Sequence, residues 1–192
     1  MDDRVVAVAL EPMALAAAPI HRLTVEHVEA LDAAGLLEDR RMELVDGILF
    51  DAVPPNPRHS QTVAQLARHL HRTLPDDLQV LVQDALFIHD GFLSPDIFVA
   101  PFSDPPVRHR VALLAIEVTH TTHCRDRQKA DEYARAGVPV YWMVDLVDHE
   151  IVLHREPADG VYTEVVHHRD GMLDVPGGVA PLDVAALLSA AG

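Results

Sequence analysis

The sequence predicts an α/β domain whose mixed β-sheet is flanked by α-helices on both faces. Segments with helical and strand patterns follow one another along most of the 192 residues, a length that suits one domain. The runs "VALLAIEVT" and "PVYWMVDL" are almost continuously apolar, as strands buried on both faces are. We expect residues 1 to 20 to form an N-terminal extension and residues 21 to 192 to form the single domain.

Four segments have the amphipathic patterns and caps of helices. The first follows Thr24, which suits the N-cap position, and the second covers "RHSQTVAQLARHLHRTL", where leucines recur on one face. The third is expected to run from Asp126, at or near the N-cap, to Gly137, the residue that follows the helix. The sequence "LDVAALLSAA" predicts a short terminal helix.

The remaining apolar segments predict strands, several of them joined by hairpins. We expect strands at about 78–88 and 93–100. A parallel pair, 112–118 and 139–145, would be linked by the third helix in a right-handed crossover. Asp-Gly pairs are strong signals for a hairpin turn. They lie between apolar runs at Asp46-Gly47, Asp90-Gly91 and Asp159-Gly160.

The composition limits the classes of function. The formal net charge of −15 argues against general affinity for nucleic acid, although it leaves room for a local basic groove. The single cysteine excludes an internal disulfide framework, and no run reaches the roughly 18 apolar residues of a membrane span. The N-terminus lacks the basic start of a signal peptide, so we expect a cytoplasmic protein.

Two acidic residues stand where burial is costly without a partner. Asp96 opens an apolar segment in "SPDIFVA", and Glu117 interrupts the run "VALLAIEVT". Adjacent antiparallel strands joined by the intervening proline-rich loop would bring the two carboxylates together. Such a pair suits Mg²⁺ or Mn²⁺, which would acidify an attacking water and stabilise the charge that develops on a phosphodiester. Each residue alone is also compatible with a solvated strand-end carboxylate.

Lys129 is the only lysine among the 15 lysine and arginine residues. It lies one turn into the helix that follows the strand of Glu117, from which its ammonium can reach back over the end of that strand. A lysine ammonium is a compact charge that can orient or deprotonate water, whereas arginine stays protonated. The alternative is a solvated helix cation paired with Glu132 or Tyr133.

These residues resemble the PD-(D/E)XK nuclease superfamily, and more closely its Uma-type branch, a domain-of-unknown-function family of restriction-endonuclease-like proteins. The most specific match is the stretch "DRQKADEYARAGVPVYWMVD", in which Lys129, Tyr133 and a Gly-Val-Pro sequence fall in register. The resemblance implies a restriction-endonuclease-like mixed β-sheet core flanked by α-helices. The matching stretches, in the family's order, are "ELVDG", "PRHSQTVAQLARHL", "SPDIFVA", "LLAIEVT" and "DRQKADEYARAGVPVYWMVD".

The resemblance also implies a set of catalytic residues, of which Asp96 and Glu117 would hold Mg²⁺ or Mn²⁺. Glu43 in "ELVDG" matches an upstream acidic position, and its alternative role is that of a half-buried strand-end glutamate. His59 in "PRHSQ" matches a position beside the site, and would otherwise be a solvated histidine at a helix N-terminus. The full catalytic set is Glu43, Asp96, Glu117 and Lys129.

The sequence departs from the family pattern in two places. In the standard motif a lysine stands two residues after Glu117, where this chain has Thr119. The Uma-type branch moves that lysine to the following helix, where Lys129 lies. The Ser-Pro-Ser turn that usually follows the glutamate in this branch is replaced by "THTTHC". An alternative zinc site is suggested by three residues of this loop: His120, His123 and Cys124.

The function implied by the resemblance is that of a metal-dependent endonuclease that hydrolyses phosphodiester bonds of DNA. Cleavage of both strands would need a homodimer or two visits by one active site. The alternative is a nuclease-fold module without catalysis, used for interaction or regulation. We expect Tyr141 and Trp142 in the core, with base stacking as their other role. The candidate phosphate contacts are Arg58, Arg68, Arg72, Arg108, Arg110, Arg125 and Arg127.

Overall fold

The structure is a computed structural model. It describes residues 21–37, 41–51, 55–120 and 124–190, with the backbone alone at 124–128 and 190. The predicted N-terminal extension, residues 1 to 20, lies outside the described residues. No helix in these ranges is long and apolar enough to cross a membrane. The helices are α1 (Val25–Ala33), α2 (Pro57–Thr73), α3 (Cys124–Arg135) and α4 (Val184–Ala190).

The described strands form a small sheet, a main sheet and one short ladder. The small sheet contains β1 (Met42–Val45), β2 (Ile48–Asp51), β4 (Leu86–Ile88) and β5 (Gly91–Leu93) in the order β2-β1-β5-β4. The main sheet contains β3 (Leu78–Val82), β6 (Ile97–Pro101), β7 (Leu114–Thr119), β8 (Val140–Asp145), β9 (Glu150–Ala158) and β10 (Val161–His168) in the order β10-β9-β8-β7-β6-β3. The short ladder pairs β11 (Met172–Leu173) with β12 (Leu182–Asp183).

The main sheet is mixed, as predicted. Strands β7 and β8 are parallel and are linked by α3, whereas the other neighbouring pairs run antiparallel. Helix α3 begins at Cys124, two residues before the predicted Asp126. Its C-terminal end follows the prediction, because Gly137 has the left-handed φ of 76° and donates its N–H to the carbonyl of Ala134.

Both faces of the main sheet are covered by apolar layers. On one face α2 and α4 pack over the central strands, with Leu66 and Leu187 among the buried side chains. The opposite face packs against α3 and strands β4 and β5 of the small sheet, around Phe98, Tyr133 and Tyr141. Helix α3 is thereby packed against the sheet, with Lys129 and Tyr133 at Glu117 of β7.

The prediction of two continuous strands at about 78–88 and 93–100 is wrong, because each of these segments is divided between the two sheets. Strands β3 and β6 pair in the main sheet, and β4 and β5 form the predicted Asp90-Gly91 hairpin in the small sheet. Pro95 has no N–H for a ladder, and Gln83 has a left-handed φ of 54°, so the chain changes sheets beside both residues. Asp96 therefore lies where the two sheets meet.

Leu66→Ala should lower the free energy of unfolding by about 2–5 kcal/mol, since it leaves a cavity where α2 packs on the main sheet. Leu66 is 0% exposed within this core. Arg68→Ala, at an exposed position of the same helix, is the matched control, with an expected change within about 0.5 kcal/mol. Urea unfolding measures both, and equal midpoints for the two variants would contradict the packing described here.

Candidate active site

The four predicted catalytic residues come from four elements that converge near the end of β7. Glu43 is on β1, Asp96 immediately precedes β6, Glu117 is in β7 and Lys129 is in α3. The three carboxylates are buried, with exposed fractions of 4%, 1% and 6% in chain order. Burial of so many acidic groups is costly unless each has a positively charged or hydrogen-bonding partner.

Asp96 and Glu117 lie side by side across an antiparallel pair. Ile97 pairs with Ile116 in the antiparallel ladder of β6 and β7. Asp96, which precedes Ile97, therefore lies opposite Glu117, which follows Ile116. The backbone N–H of Val118 donates to Oδ2 of Asp96 at 2.9 Å, which fixes this carboxylate against β7. The predicted approach of these strands is confirmed.

Lys129 holds two carboxylates together. Its Nζ lies 2.9 Å from Oε1 of Glu117 and 3.0 Å from Oε1 of Glu43, and its side chain is 14% exposed. Glu43, Asp96 and Glu117 form what we call the acidic centre. The alternative of a solvated cation paired with Glu132 or Tyr133 is therefore wrong, because the ammonium reaches back over β7 into this centre. The half-buried strand-end role for Glu43 is wrong as well, since this carboxylate is buried and paired.

Tyr133 is a site residue that we did not identify from the sequence. Its hydroxyl donates to Oε1 of Glu117 at 2.7 Å, and its ring is fully buried. Tyr133 lies four residues after Lys129, so both side chains project from the same face of α3. That spacing within the most specific matching stretch is the signal that would have identified it.

Asp96 is held by two basic side chains. Arg41 donates from a guanidinium NH₂ group to Oδ1 at 3.0 Å, and Nε2 of His59 lies 2.9 Å from Oδ2. His59 is 5% exposed, so the alternative of a solvated histidine at the start of α2 is wrong. Arg41 was not identified from the sequence, where nothing distinguishes it from the other arginines. Only the folding of the chain before β1 against β6 brings it to Asp96.

The pKa values of the two predicted metal ligands, Asp96 and Glu117, are shifted in opposite directions. Burial favours the neutral form of Asp96, but the hydrogen bond and charge of His59, with the charge of Arg41, lower its pKa to about 2. Burial raises the pKa of Glu117 to about 7, and the charges of Asp96 and Glu43 add to this rise although Lys129 opposes it. Burial therefore makes Glu117 harder to ionise than Asp96.

The ammonium of Lys129 stays protonated in this environment. Burial alone would lower its pKa, but the adjacent carboxylates of Glu117 and Glu43 outweigh burial and raise the pKa above the ordinary value for lysine. In this arrangement Lys129 is a fixed positive charge and a hydrogen-bond donor. Its predicted capacity to deprotonate water is not favoured by these contacts.

The donor set fits Mg²⁺ or Mn²⁺ in its chemistry, because these hard cations prefer carboxylate oxygens. Among the described residues, Lys129 and Tyr133 both donate to Oε1 of Glu117. Within the same residues, no group of three or more His, Cys, Asp or Glu side chains is placed to hold a metal ion.

The zinc alternative falls mostly on residues that the structure does not describe. His123 lies outside the described ranges, as does the side chain of Cys124. His120 is described, and its ring packs edge-on against His59 with the ring centroids 6.1 Å apart. His120, the residue that follows β7, thus packs against His59, which contacts Asp96.

The candidate phosphate contacts are spread over the surface. Arg58 follows the N-terminal residue of α2, next to His59, and a guanidinium NH₂ group lies 3.5 Å from Nε2 of His149. Arg108 and Arg110 lie instead over the ring of Phe87, 5.2 and 5.9 Å from its centroid. The side chains of Arg125 and Arg127 lie outside the described residues. Of the described candidates, Arg58 is adjacent in sequence to His59, which contacts Asp96.

Tyr141 and Trp142 belong to the core, as predicted. Both are 0% exposed in β8, and the Tyr141 ring stacks on Tyr133 with the ring centroids 4.8 Å apart. Neither ring offers a face to a nucleotide base. The stacking alternative for this pair is therefore wrong. Tyr141 packs against Tyr133 of α3, and Trp142 lies in the core on the face covered by α2 and α4.

The comparisons with known proteins agree with this architecture. Residues 25–185 match the model of the Uma2 family, described as "Putative restriction endonuclease". The chain is also similar to the crystal structure of a "putative nuclease belonging to DUF820" from Anabaena variabilis, with a TM-score of 0.69 and 16% identity over 84% of this chain and 98% of that one. No protein of curated function matches the chain. The chain belongs to the Uma2 family of restriction-endonuclease-like proteins.

Proposed function

We propose that the protein is a Mg²⁺- or Mn²⁺-dependent endonuclease that hydrolyses phosphodiester bonds of DNA. The observation that carries this proposal is the Lys129 ammonium, held 2.9 Å from Glu117 and 3.0 Å from Glu43, beside the buried Asp96. A buried set of acidic residues around one lysine is expensive for stability and is typical of sites that bind cations and polarise reactants.

The residues divide the work of hydrolysis among them. Asp96 and Glu117 would hold the divalent ion, which would supply positive charge against the phosphate and acidify water. Lys129 donates hydrogen bonds to the attacking water and orients it, since its own charge is maintained by the carboxylates. Glu43 positions the ammonium and adds a further carboxylate, directly or through water. Tyr133 orients Glu117 through its hydroxyl.

The proposed substrate is DNA, and the surface beside the centre supplies local positive charge despite the overall net charge of −15. Arg41 contacts Asp96, and Arg58 precedes His59, which also contacts Asp96. A phosphate would approach the centre beside these two arginines. One centre per chain cuts one strand at a time, so cleavage of both strands would involve a homodimer or two binding events. A cytoplasmic location stays a prediction.

A non-catalytic module with the nuclease fold is the second candidate function. The strongly negative net charge and the replacement of the family's usual turn by "THTTHC" favour it. Such a module has no need of a divalent ion, whereas the nuclease does. Isothermal titration calorimetry with Mn²⁺ separates them, because a folded chain that binds no divalent ion would support the non-catalytic module.

Purified protein with Mn²⁺ should nick supercoiled plasmid DNA, and Lys129→Ala and Asp96→Ala should each reduce the rate by at least about a hundredfold. Lys129→Ala removes the charge that orients water, and Asp96→Ala removes a metal ligand. Arg135→Ala is the matched control on α3, because this exposed side chain pairs with Glu132 outside the centre. Nicking by both site variants at the rate of the wild type would refute the assignment.

Lys129→Arg should lose about tenfold to a hundredfold of the nicking rate although the charge is preserved. The planar guanidinium is larger than an ammonium and cannot place one compact charge about 3 Å from two separate carboxylate oxygens. Gel assays of plasmid nicking measure the rate, and circular dichroism checks the fold. Full activity in this variant would mean that charge alone suffices and that the geometry of Lys129 is unimportant.

Tyr133→Phe should reduce the nicking rate by about tenfold, since it removes the hydroxyl that orients Glu117. Tyr162→Phe is the matched control, because the Tyr162 hydroxyl donates to the carbonyl of Val138, outside the centre. Both variants should lose about 1–3 kcal/mol of unfolding free energy. Equal rates for the two variants would show that Tyr133 has only a structural role.

A further inference from the structure

Each buried carboxylate of the centre contacts a positively charged side chain of the protein itself. Lys129 serves Glu43 and Glu117, and Arg41 serves Asp96. We propose that Arg41 and Lys129 are resident counter-cations, and that a divalent ion reaches the carboxylates by displacing them. This inference rests on the proposed function, since it concerns how the same centre acquires its metal.

The position of Lys129 resembles that of a bound cation. Its ammonium lies between Oε1 of Glu43 and Oε1 of Glu117, at 3.0 and 2.9 Å, and is 14% exposed. At such distances inside a protein, the attraction between unit charges is several times that in water. A divalent ion drawn to Glu117 meets the repulsion of this ammonium, so the two cations compete for the same carboxylates.

Arg41 is the exchangeable partner of Asp96. Oδ2 of Asp96 is fixed by His59 and by the backbone N–H of Val118, whereas Oδ1 is contacted by the Arg41 guanidinium. The Arg41 side chain is 25% exposed, against 7% for His59. Arg41 can therefore swing into solvent and release Oδ1, while the other two contacts keep Asp96 oriented.

The two counter-cations should lower metal affinity, and Lys129 has the additional role of orienting water. Removal of Lys129 is then expected to have opposite effects, with tighter metal binding and slower hydrolysis. A residue that merely stabilised the site would not produce tighter binding when removed. The direction of the affinity change is thus the distinguishing observation.

Binding of Mn²⁺ alone, without DNA, tests this proposal. The electron paramagnetic resonance signal of free Mn²⁺ is titrated with the wild type, Lys129→Met, Arg41→Gln and the control Arg135→Gln, which removes a charge at the end of α3 outside the centre. We expect binding about tenfold or more tighter in Lys129→Met and about threefold or more tighter in Arg41→Gln. Arg135→Gln should stay within about twofold of the wild type.

Thermal unfolding with and without Mn²⁺ supplies a second readout. Lys129→Met leaves Glu43 and Glu117 without their cation, so it should melt below the wild type in the absence of metal and gain more melting temperature from Mn²⁺. If Lys129→Met does not fold, Arg41→Gln decides, because Arg41 is partly exposed and Asp96 keeps its other partners.

Affinities in Lys129→Met and Arg41→Gln no tighter than in Arg135→Gln would overturn the proposal, as would the absence of Mn²⁺ binding in every variant. The first outcome is separate from a failure of the proposed function, whereas the absence of Mn²⁺ binding would contradict both. Wild type that nicks DNA while the variants bind no tighter would refute displacement and leave the nuclease assignment standing. Tighter Mn²⁺ binding by the variants, without any nicking by the wild type, would support displacement and refute the nuclease assignment.

Discussion

The ion pairs between Lys129 and two buried glutamates are the interaction on which the rest of the centre depends. Glu43 and Glu117 come from different sheets, and the ammonium from α3 compensates both charges at once. Without it, two carboxylates at 4% and 6% exposure would lie beside a third in a region of low dielectric. The placement of α3 over the end of β7 is therefore an electrostatic requirement as well as a packing one.

The division of the chain between two sheets creates the place where these charges meet. Pro95 ends the pairing of β5 and leads directly into Asp96 and β6, so the small sheet and the main sheet join at the acidic centre. The N–H of Ser94, at this junction, lies 3.3 Å from Oε1 of Glu43. The break in the hydrogen-bonding ladder thus leaves the N–H of Ser94 free to donate to the carboxylate of Glu43.

Much of this arrangement could be predicted from local chemistry. A glutamate in a continuous apolar run and an aspartate after a proline have to find partners, and a lone lysine in an arginine-rich chain stands out by composition. The division of residues 78–101 between two sheets could not be predicted, since each half carries a strand pattern and nothing local shows which strand it pairs with. Arg41 and the burial of His59 depend on the same tertiary packing, which sequence periodicity does not report.

Stability alone gives little reason for such a centre, because well-packed apolar residues of similar volume often stabilise a fold as well as buried ion pairs do. Burial is the main cause that raises the pKa of Glu117 to about 7, and the adjacent Asp96 and Glu43 add to this rise although Lys129 opposes it. Asp96, in contrast, is fully supported as an anion by Arg41, His59 and a backbone amide. One carboxylate is thus held ionised and oriented, whereas burial makes its neighbour harder to ionise, so the two adjacent acidic groups differ in charge state as well as in their partners.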